Sequence, residues 1–201
     1  MLDHYLRGTK DYLLNMLARP LYKIPPNLIT VVSLVVGLAA GVMLAGQLYL
    51  AGFLLWALNR LLDGLDGAIA RETGQQTDFG GYLDILADFV VYAVIPIALV
   101  VGQPSISGFL VLAFLLAAFY VNSASWMYLS AILEKRKHGS RATGELTTVT
   151  MPEGLIGGAE TVLFFSLFIV WPQQLVPLFV LMAVLVLVTA GQRLVWAARH
   201  L

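Results

Sequence analysis

Polar and apolar positions follow two rhythms along this chain. Across residues 2 to 21, Leu2, Leu6, Leu13, Met16, Leu17 and Leu21, with Tyr5, fall near one stripe at helical spacing, while Asp3, Arg7, Lys10, Asp11 and Arg19 fall largely elsewhere. That periodicity predicts an amphipathic helix. Such a helix lies in a membrane interface with its basic residues at the headgroups, or packs on its own protein. Pro25-Pro26 ends it and turns the chain. Apolar runs follow at about 28–46, 49–70, 81–101, 107–132, 155–171 and 175–196, each near the length a ~30 Å hydrocarbon core requires. The expected fold is an all-α integral membrane protein with a single domain over 1–201. The amphipathic helix occupies 1–24 and a bundle of six transmembrane helices occupies 25–201.

Composition agrees with this pattern. The chain is 59% hydrophobic and 12% charged, with a mean hydropathy of +0.83, whereas a soluble globule carries about 25% charged residues. Cysteine is absent, which excludes disulfides and thiolate chemistry. The formal net charge is zero, so no bulk field points to nucleic acid.

The distribution of charge says more than its sum. Connections 46–49, 102–107 and 171–174 are short and uncharged. All twelve Lys and Arg lie on the other side: Arg7, Lys10, Arg19 and Lys23 before the first run, and Arg60 and Arg71 toward the end of the second. Lys135, Arg136, Lys137 and Arg141 follow the fourth, and Arg193 and Arg199 end the chain. The positive-inside rule then places both termini in the cytoplasm.

Four acids break the apolar pattern. Asp63, Asp66, Gly67, Ala70 and Arg71 are spaced to share one helix face, as are Gly80, Asp84 and Asp88 on the next run. The polar stretch 72–79 between them is short, so the two helices are antiparallel neighbours whose acidic faces converge near the cytoplasmic membrane surface. One Asp at the centre of a membrane helix costs roughly 2.5–3.5 kcal/mol on insertion scales, so four together call for cations. Oxygen donors without nearby Cys or His suit Mg²⁺, Mn²⁺ or Ca²⁺. His4, His138 and His200 sit in hydrophilic terminal or loop positions and are not expected to bind metal. Two divalent ions would neutralise four carboxylates, and paired ions clamp phosphoryl groups. Arg71 suits a phosphate oxygen at the same place.

The run D-x2-D-G-x2-A-R-x8-G-x3-D-x3-D, filled by Asp63, Asp66, Gly67, Ala70, Arg71, Gly80, Asp84 and Asp88, resembles the signature of the class I CDP-alcohol phosphotransferases. The opening of the first run, Pro26, Asn27 and Thr30, is similar to that family's too. The resemblance implies transfer of a substituted phosphate from a CDP-linked lipid, usually CDP-diacylglycerol, to the hydroxyl of a small alcohol, with release of CMP. It implies that Asp63, Asp66 and Asp84 hold two ions, Mg²⁺ or Mn²⁺, on the donor diphosphate. Asp88 completes the second metal site and acts as general base. Asn27, Thr30, Gly67, Arg71, Thr77 and Gly80 would contact the CDP moiety. A homodimer is implied on the same ground; the expected location is the cell inner membrane, with both termini and, by the charge distribution, the site cytoplasmic.

The acceptor side is open at this level. Lys135, Arg136 and Arg141 suit a phosphate on the acceptor, as in glycerol 3-phosphate or an inositol phosphate, but a topology-setting patch facing lipid headgroups explains the run equally. Glu153 and Glu160 are seven apart, hence on one face. Glu160 either meets acceptor hydroxyls or an amine, or pairs with Arg193. The competing class for the whole chain is a non-enzymatic membrane protein that binds or transports divalent cations on the same aspartates. A polar network that merely locks helices together is the structural alternative.

Overall fold

The computed structural model describes residues 14–136 and 154–201. Among the described residues, six long helices succeed one another: α1 (Pro26–Ala45), α2 (Tyr49–Glu72), α3 (Asp78–Gly102), α4 (Ile106–Lys135), α5 (Gly158–Val170) and α6 (Leu175–His200). Their boundaries follow local chemistry. Pro26 opens α1, where its missing N–H costs nothing. Gly74, at φ 66°, turns the chain out of α2. Thr77 caps α3, its hydroxyl accepting from the Gly80 N–H at 3.0 Å, and Ser105 caps α4 through the Gly108 N–H at 3.0 Å. Pro172 follows the end of α5.

Among the described residues, four elements are long and apolar enough to cross a membrane: Pro26–Ala45, Asp78–Gly102, Ile106–Lys135 and Pro172–His200. The other two expected spans coincide with helices of a different kind. Tyr49–Glu72 carries Arg60, Asp63, Asp66, Arg71 and Glu72. Gly158–Val170 has 13 residues, which at about 1.5 Å per residue is short of a full crossing. Leu28, Val35, Val42, Leu50 and Leu110 project outward, so the bundle has the apolar exterior an integral membrane protein needs.

The core is aromatic at its centre. Trp56 stacks on Phe165 with centroids 5.2 Å apart, and Phe168 meets Phe179 edge-on at 4.7 Å; all four are fully buried. Gly37 and Gly41 let α1 close on α3. A Cβ at either would stand 2.6 or 2.5 Å from a Val91 or Val94 methyl, the close approach that small residues permit between membrane helices. α1 and α2 are also bonded by polar groups. Asn59 Nδ2 donates to the Ser33 carbonyl at 2.8 Å, and Ser33 Oγ donates to the Asn59 carbonyl at 2.9 Å. Pro96 lies inside α3.

The amphipathic segment is described from residue 14 onward. Residues 14–18 are helical and a single tight turn, Arg19–Leu21, follows. Its protein-facing side is Leu14 and Ala18, packed against Ile29, Leu65, Ala68 and Ile69. Met16 and Leu17, which the spacing put on the apolar stripe, point outward. A helix at a membrane has two apolar neighbours, protein and lipid, so its hydrophobic positions need not form one stripe. The segment is pinned further by Asn15 Nδ2, which donates to Glu72 at 3.0 Å.

Candidate active site

The acidic faces of α2 and α3 do converge. Asp66, Gly67, Ala70 and Arg71 from α2 line a cavity of about 910 Å³ together with Thr77, Gly80, Asp84 and Asp88. Asn27 and Thr30, in the first turns of α1, line the same space. Ten of the residues singled out from the sequence therefore meet at one place. Asp66 is 4% exposed, and Thr30 supports it by donating a hydrogen bond to its Oδ2 at 2.5 Å.

The glycines here make room for side chains. A Cβ on Gly80 would come within 2.9 Å of Asn27 Oδ1, and a Cβ on Gly67 within 3.1 Å of the Arg71 guanidinium. Gly80 thus lets α1 and α3 touch through Asn27, and Gly67 lets Arg71 fold back along α2. Thr77 accepts from Gly80 N–H as a helix cap, which leaves its own hydroxyl hydrogen for a further partner.

Asp63 reaches the site through Arg60, whose place in the sequence marks it as a topology-setting charge. Arg60 Nη1 lies 2.8 Å from Asp88 Oδ1 and 3.5 Å from Asp63 Oδ2, so one guanidinium spans carboxylates on two helices. The same side chain donates to the Tyr92 hydroxyl at 3.2 Å and, through Nε, to Asn59 Oδ1 at 2.9 Å. Its position three residues before Asp63 was a usable signal, because i and i+3 share a helix face.

The far wall is built by α4, α5 and α6. Asn122 and Trp126, Gly157 and Thr161, and Arg193 line it. Arg193 is 4% exposed and donates to Asn122 Oδ1 at 2.5 Å. Nothing in its sequence neighbourhood marked it for the cavity; only the docking of α6 on α4 brings it there.

The expected acceptor residues fare differently. Lys135 and Arg136 lie at the end of α4 and are not among the cavity-lining residues; Arg136 Nη1 donates to the Leu201 carbonyl at 2.8 Å. Glu160 accepts from the Gly157 N–H at 3.1 Å, closing the first turn of α5. Arg141 and Glu153 lie outside the described residues.

The donor set fits hard divalent ions in type and placement. It consists of carboxylates on two successive helices that both pack on α1, three of them lining one cavity. As the side chains lie, no three carboxylate or imidazole groups among the described residues close into a coordination shell. The reason is visible in the contacts: Asp63 and Asp88 are drawn onto Arg60, and Asp66 onto Thr30.

The family model of the CDP-alcohol phosphatidyltransferases matches residues 23–198. Over 174 residues the chain is 36% identical to inner membrane protein YnjF of Escherichia coli K12, spanning 86% of this chain and 83% of that protein. Over 195 residues it is 33% identical to a phosphatidylinositol phosphate synthase of Mycobacterium marinum, spanning 92% and 80%. Among solved structures it resembles the Mycobacterium tuberculosis phosphatidylinositol phosphate synthase with CDP-DAG bound, at a TM-score of 0.69 and 23% identity. That match covers 91% of this chain and 92% of the other, and it is a likeness of fold.

Proposed function

The chain belongs to the CDP-alcohol phosphatidyltransferase family, and from that premise we propose that it transfers a phosphatidyl group from CDP-diacylglycerol to a small phosphorylated alcohol. Glycerol 3-phosphate and an inositol phosphate are the favoured acceptors, and CMP is the other product. One observation carries the choice of a phosphorylated acceptor. The cavity has an acidic wall on α2 and α3 and, on the far wall, the buried guanidinium of Arg193. A nucleotide diphosphate accompanied by cations suits the first wall, and an anionic acceptor suits the second.

Two divalent ions, Mg²⁺ or Mn²⁺, held by Asp63, Asp66, Asp84 and Asp88, would supply positive charge to the donor diphosphate when bound. The remaining roles belong to the chain itself. Arg71, exposed at the cavity mouth, offers a fork to a phosphate oxygen. Gly67 and Gly80 leave backbone bare beside it, and the hydroxyl of Thr77 and the amide of Asn27 face the same space. Thr30 fixes the rotamer of Asp66. Asp88 takes the proton from the acceptor hydroxyl. As the acceptor oxygen bonds to the β-phosphorus, the bond from that phosphorus to the CMP oxygen breaks. Arg193, held by Asn122, orients the acceptor through its phosphate.

The same proposal includes six membrane crossings within a single domain, a cytoplasm-facing site and a homodimer. A lipid donor is consistent with the placement: acyl chains require hydrocarbon, and the nucleotide requires water. The test is an acceptor panel. Purified protein in lipid nanodiscs, supplied with CDP-diacylglycerol and Mg²⁺ or Mn²⁺, should release CMP with a phosphorylated acceptor and much less with serine or unphosphorylated inositol. Absence of CMP with every acceptor would sink the assignment; release with serine alone would overturn the acceptor.

A further inference from the structure

Arg60 has more partners than an arginine needs for topology. Its side chain is 11% exposed, and its guanidinium carbon lies 4.9 Å from the Trp56 ring centroid and 5.3 Å from that of Tyr92. Nε is bonded to Asn59, which is itself bonded to Ser33 on α1. Two aromatic faces and a fixed amide hold the cation by contacts that do not depend on the acids. Nη1 in turn meets Asp88 at 2.8 Å and Asp63 at 3.5 Å.

We infer that Arg60 is a built-in counter-cation, which holds Asp63 and Asp88 together and yields their carboxylates when a divalent ion arrives. The inference rests on the reading of the four aspartates as metal ligands. Four carboxylates brought together on two helices that both pack on α1 repel one another, and Arg60 removes one unit of that charge and bridges the two helices. A metal ion and a guanidinium compete for the same oxygens. An aspartate has two side-chain torsions and can swing to the ion, while Arg60 stays behind in contact with Trp56, Tyr92 and Asn59. The guanidinium therefore needs no second pocket. It lowers affinity for the ion and preserves the metal-free fold, and it acts through the aspartates, so it is a positioning residue.

The test uses Mn²⁺ alone, without donor or acceptor, on the full chain in nanodiscs. Mn²⁺ binding is followed by electron paramagnetic resonance, and unfolding is followed with EDTA and with saturating Mn²⁺. Arg60→Gln should bind Mn²⁺ about tenfold more tightly than the wild type, equivalent to about 1.4 kcal/mol. Its unfolding temperature should fall below the wild type in EDTA, with the gap narrowing in Mn²⁺. An ordinary structural arginine would give an equal gap in both and no gain in affinity, and that result overturns the inference. Arg60→Lys keeps a charge but not the fork, so it serves if Arg60→Gln does not fold. A gain of a few-fold in Mn²⁺ affinity supports the inference, and unchanged or weaker binding overturns it. Wild-type protein that binds no Mn²⁺ would remove the metal reading and this inference together. Wild-type binding without a gain in either variant removes the inference alone.

Discussion

Thr30 Oγ1 lies 2.5 Å from Asp66 Oδ2, joining the first turns of α1 to the most buried aspartate of α2. The Pro26 carbonyl stands 3.2 Å from the same hydroxyl, whose single hydrogen goes to the closer carboxylate. A hydrogen bond to a buried charged group contributes about 1.5–3 kcal/mol. Thr30→Val keeps the shape and removes the bond. Initial rates of CMP release should fall by roughly 30-fold, the equivalent of about 2 kcal/mol, and Thr30→Ser should restore most of the rate. Equal rates for Val and Ser would mean that the hydroxyl does not tune Asp66.

Asp88 is the group placed to take a proton from the acceptor. Asp88→Asn should lower transfer by about 10²–10⁴-fold, the usual size of a general-base contribution. Binding of CDP-diacylglycerol, measured with labelled donor, should stay within a few-fold of the wild type. A variant that turns over at the parent rate would remove Asp88 from the chemistry.

For the acceptor, Arg193→Gln separates binding from chemistry. Loss of a buried fork to a phosphate should raise KM for glycerol 3-phosphate or an inositol phosphate by about 10–100-fold, as expected for a charged hydrogen bond of about 1.5–3 kcal/mol. The KM for CDP-diacylglycerol should change little. A parallel rise in both would assign Arg193 to the packing of α6 on α4.

Two glycines at the cavity provide a steric comparison. A Cβ on Gly80 meets Asn27 Oδ1 at 2.9 Å and Thr77 Oγ1 at 3.1 Å, whereas a Cβ on Gly158 meets nothing within 4 Å. Gly80→Ala should therefore push the Asn27 amide and the Thr77 hydroxyl out of their places at the cavity, at a cost of up to about 1 kcal/mol, and lower the rate of transfer. Gly158→Ala should leave unfolding and turnover close to the wild type. Thermal unfolding and CMP release measured on the pair test this contrast.

Dependence on added ions is the simplest check of the carboxylate cluster. EDTA should abolish CMP release, and Mg²⁺ or Mn²⁺ should restore it. Activity that survives exhaustive chelation would exclude Asp63, Asp66, Asp84 and Asp88 as metal ligands.

Sequence spacing revealed one half of the cavity far better than the other. Asp63 to Arg71 and Gly80 to Asp88 sit on two successive helices, so helical periodicity alone predicts their convergence, and the structure brings all but Asp63 directly to the cavity wall. Arg60 obeyed the same periodicity, yet it was read as a topology-setting charge because Lys and Arg near a helix end commonly are. Arg193 and Asn122 were not legible. They are 71 residues apart, and only packing between α4 and α6 makes them neighbours. Glu160 looked unusual inside an apolar run, but α5 begins at Gly158, which puts this acid in the first turn, where carboxylates are common caps. The lengths of α2, α3 and α4 were legible from apolar runs. The outward direction of Met16 and Leu17 was not, since hydropathy cannot distinguish a protein neighbour from a lipid one.

The turn between α2 and α3 has a consequence for biogenesis. Because five residues, 73–77, separate the two acidic helices and both pack on the preceding α1, the unit α1 to α3 can form while the rest of the chain is still being synthesised; local contacts form early because little chain must be closed. Thr30 and Asn27 precede them and are already available. Arg193 emerges last and reaches Asn122 only when the final helix has been inserted. Synthesis from the N-terminus thus completes the acidic wall first and the cationic wall at the end, so premature termination before α6 would yield a membrane-embedded cluster of acids without the basic side of its cavity.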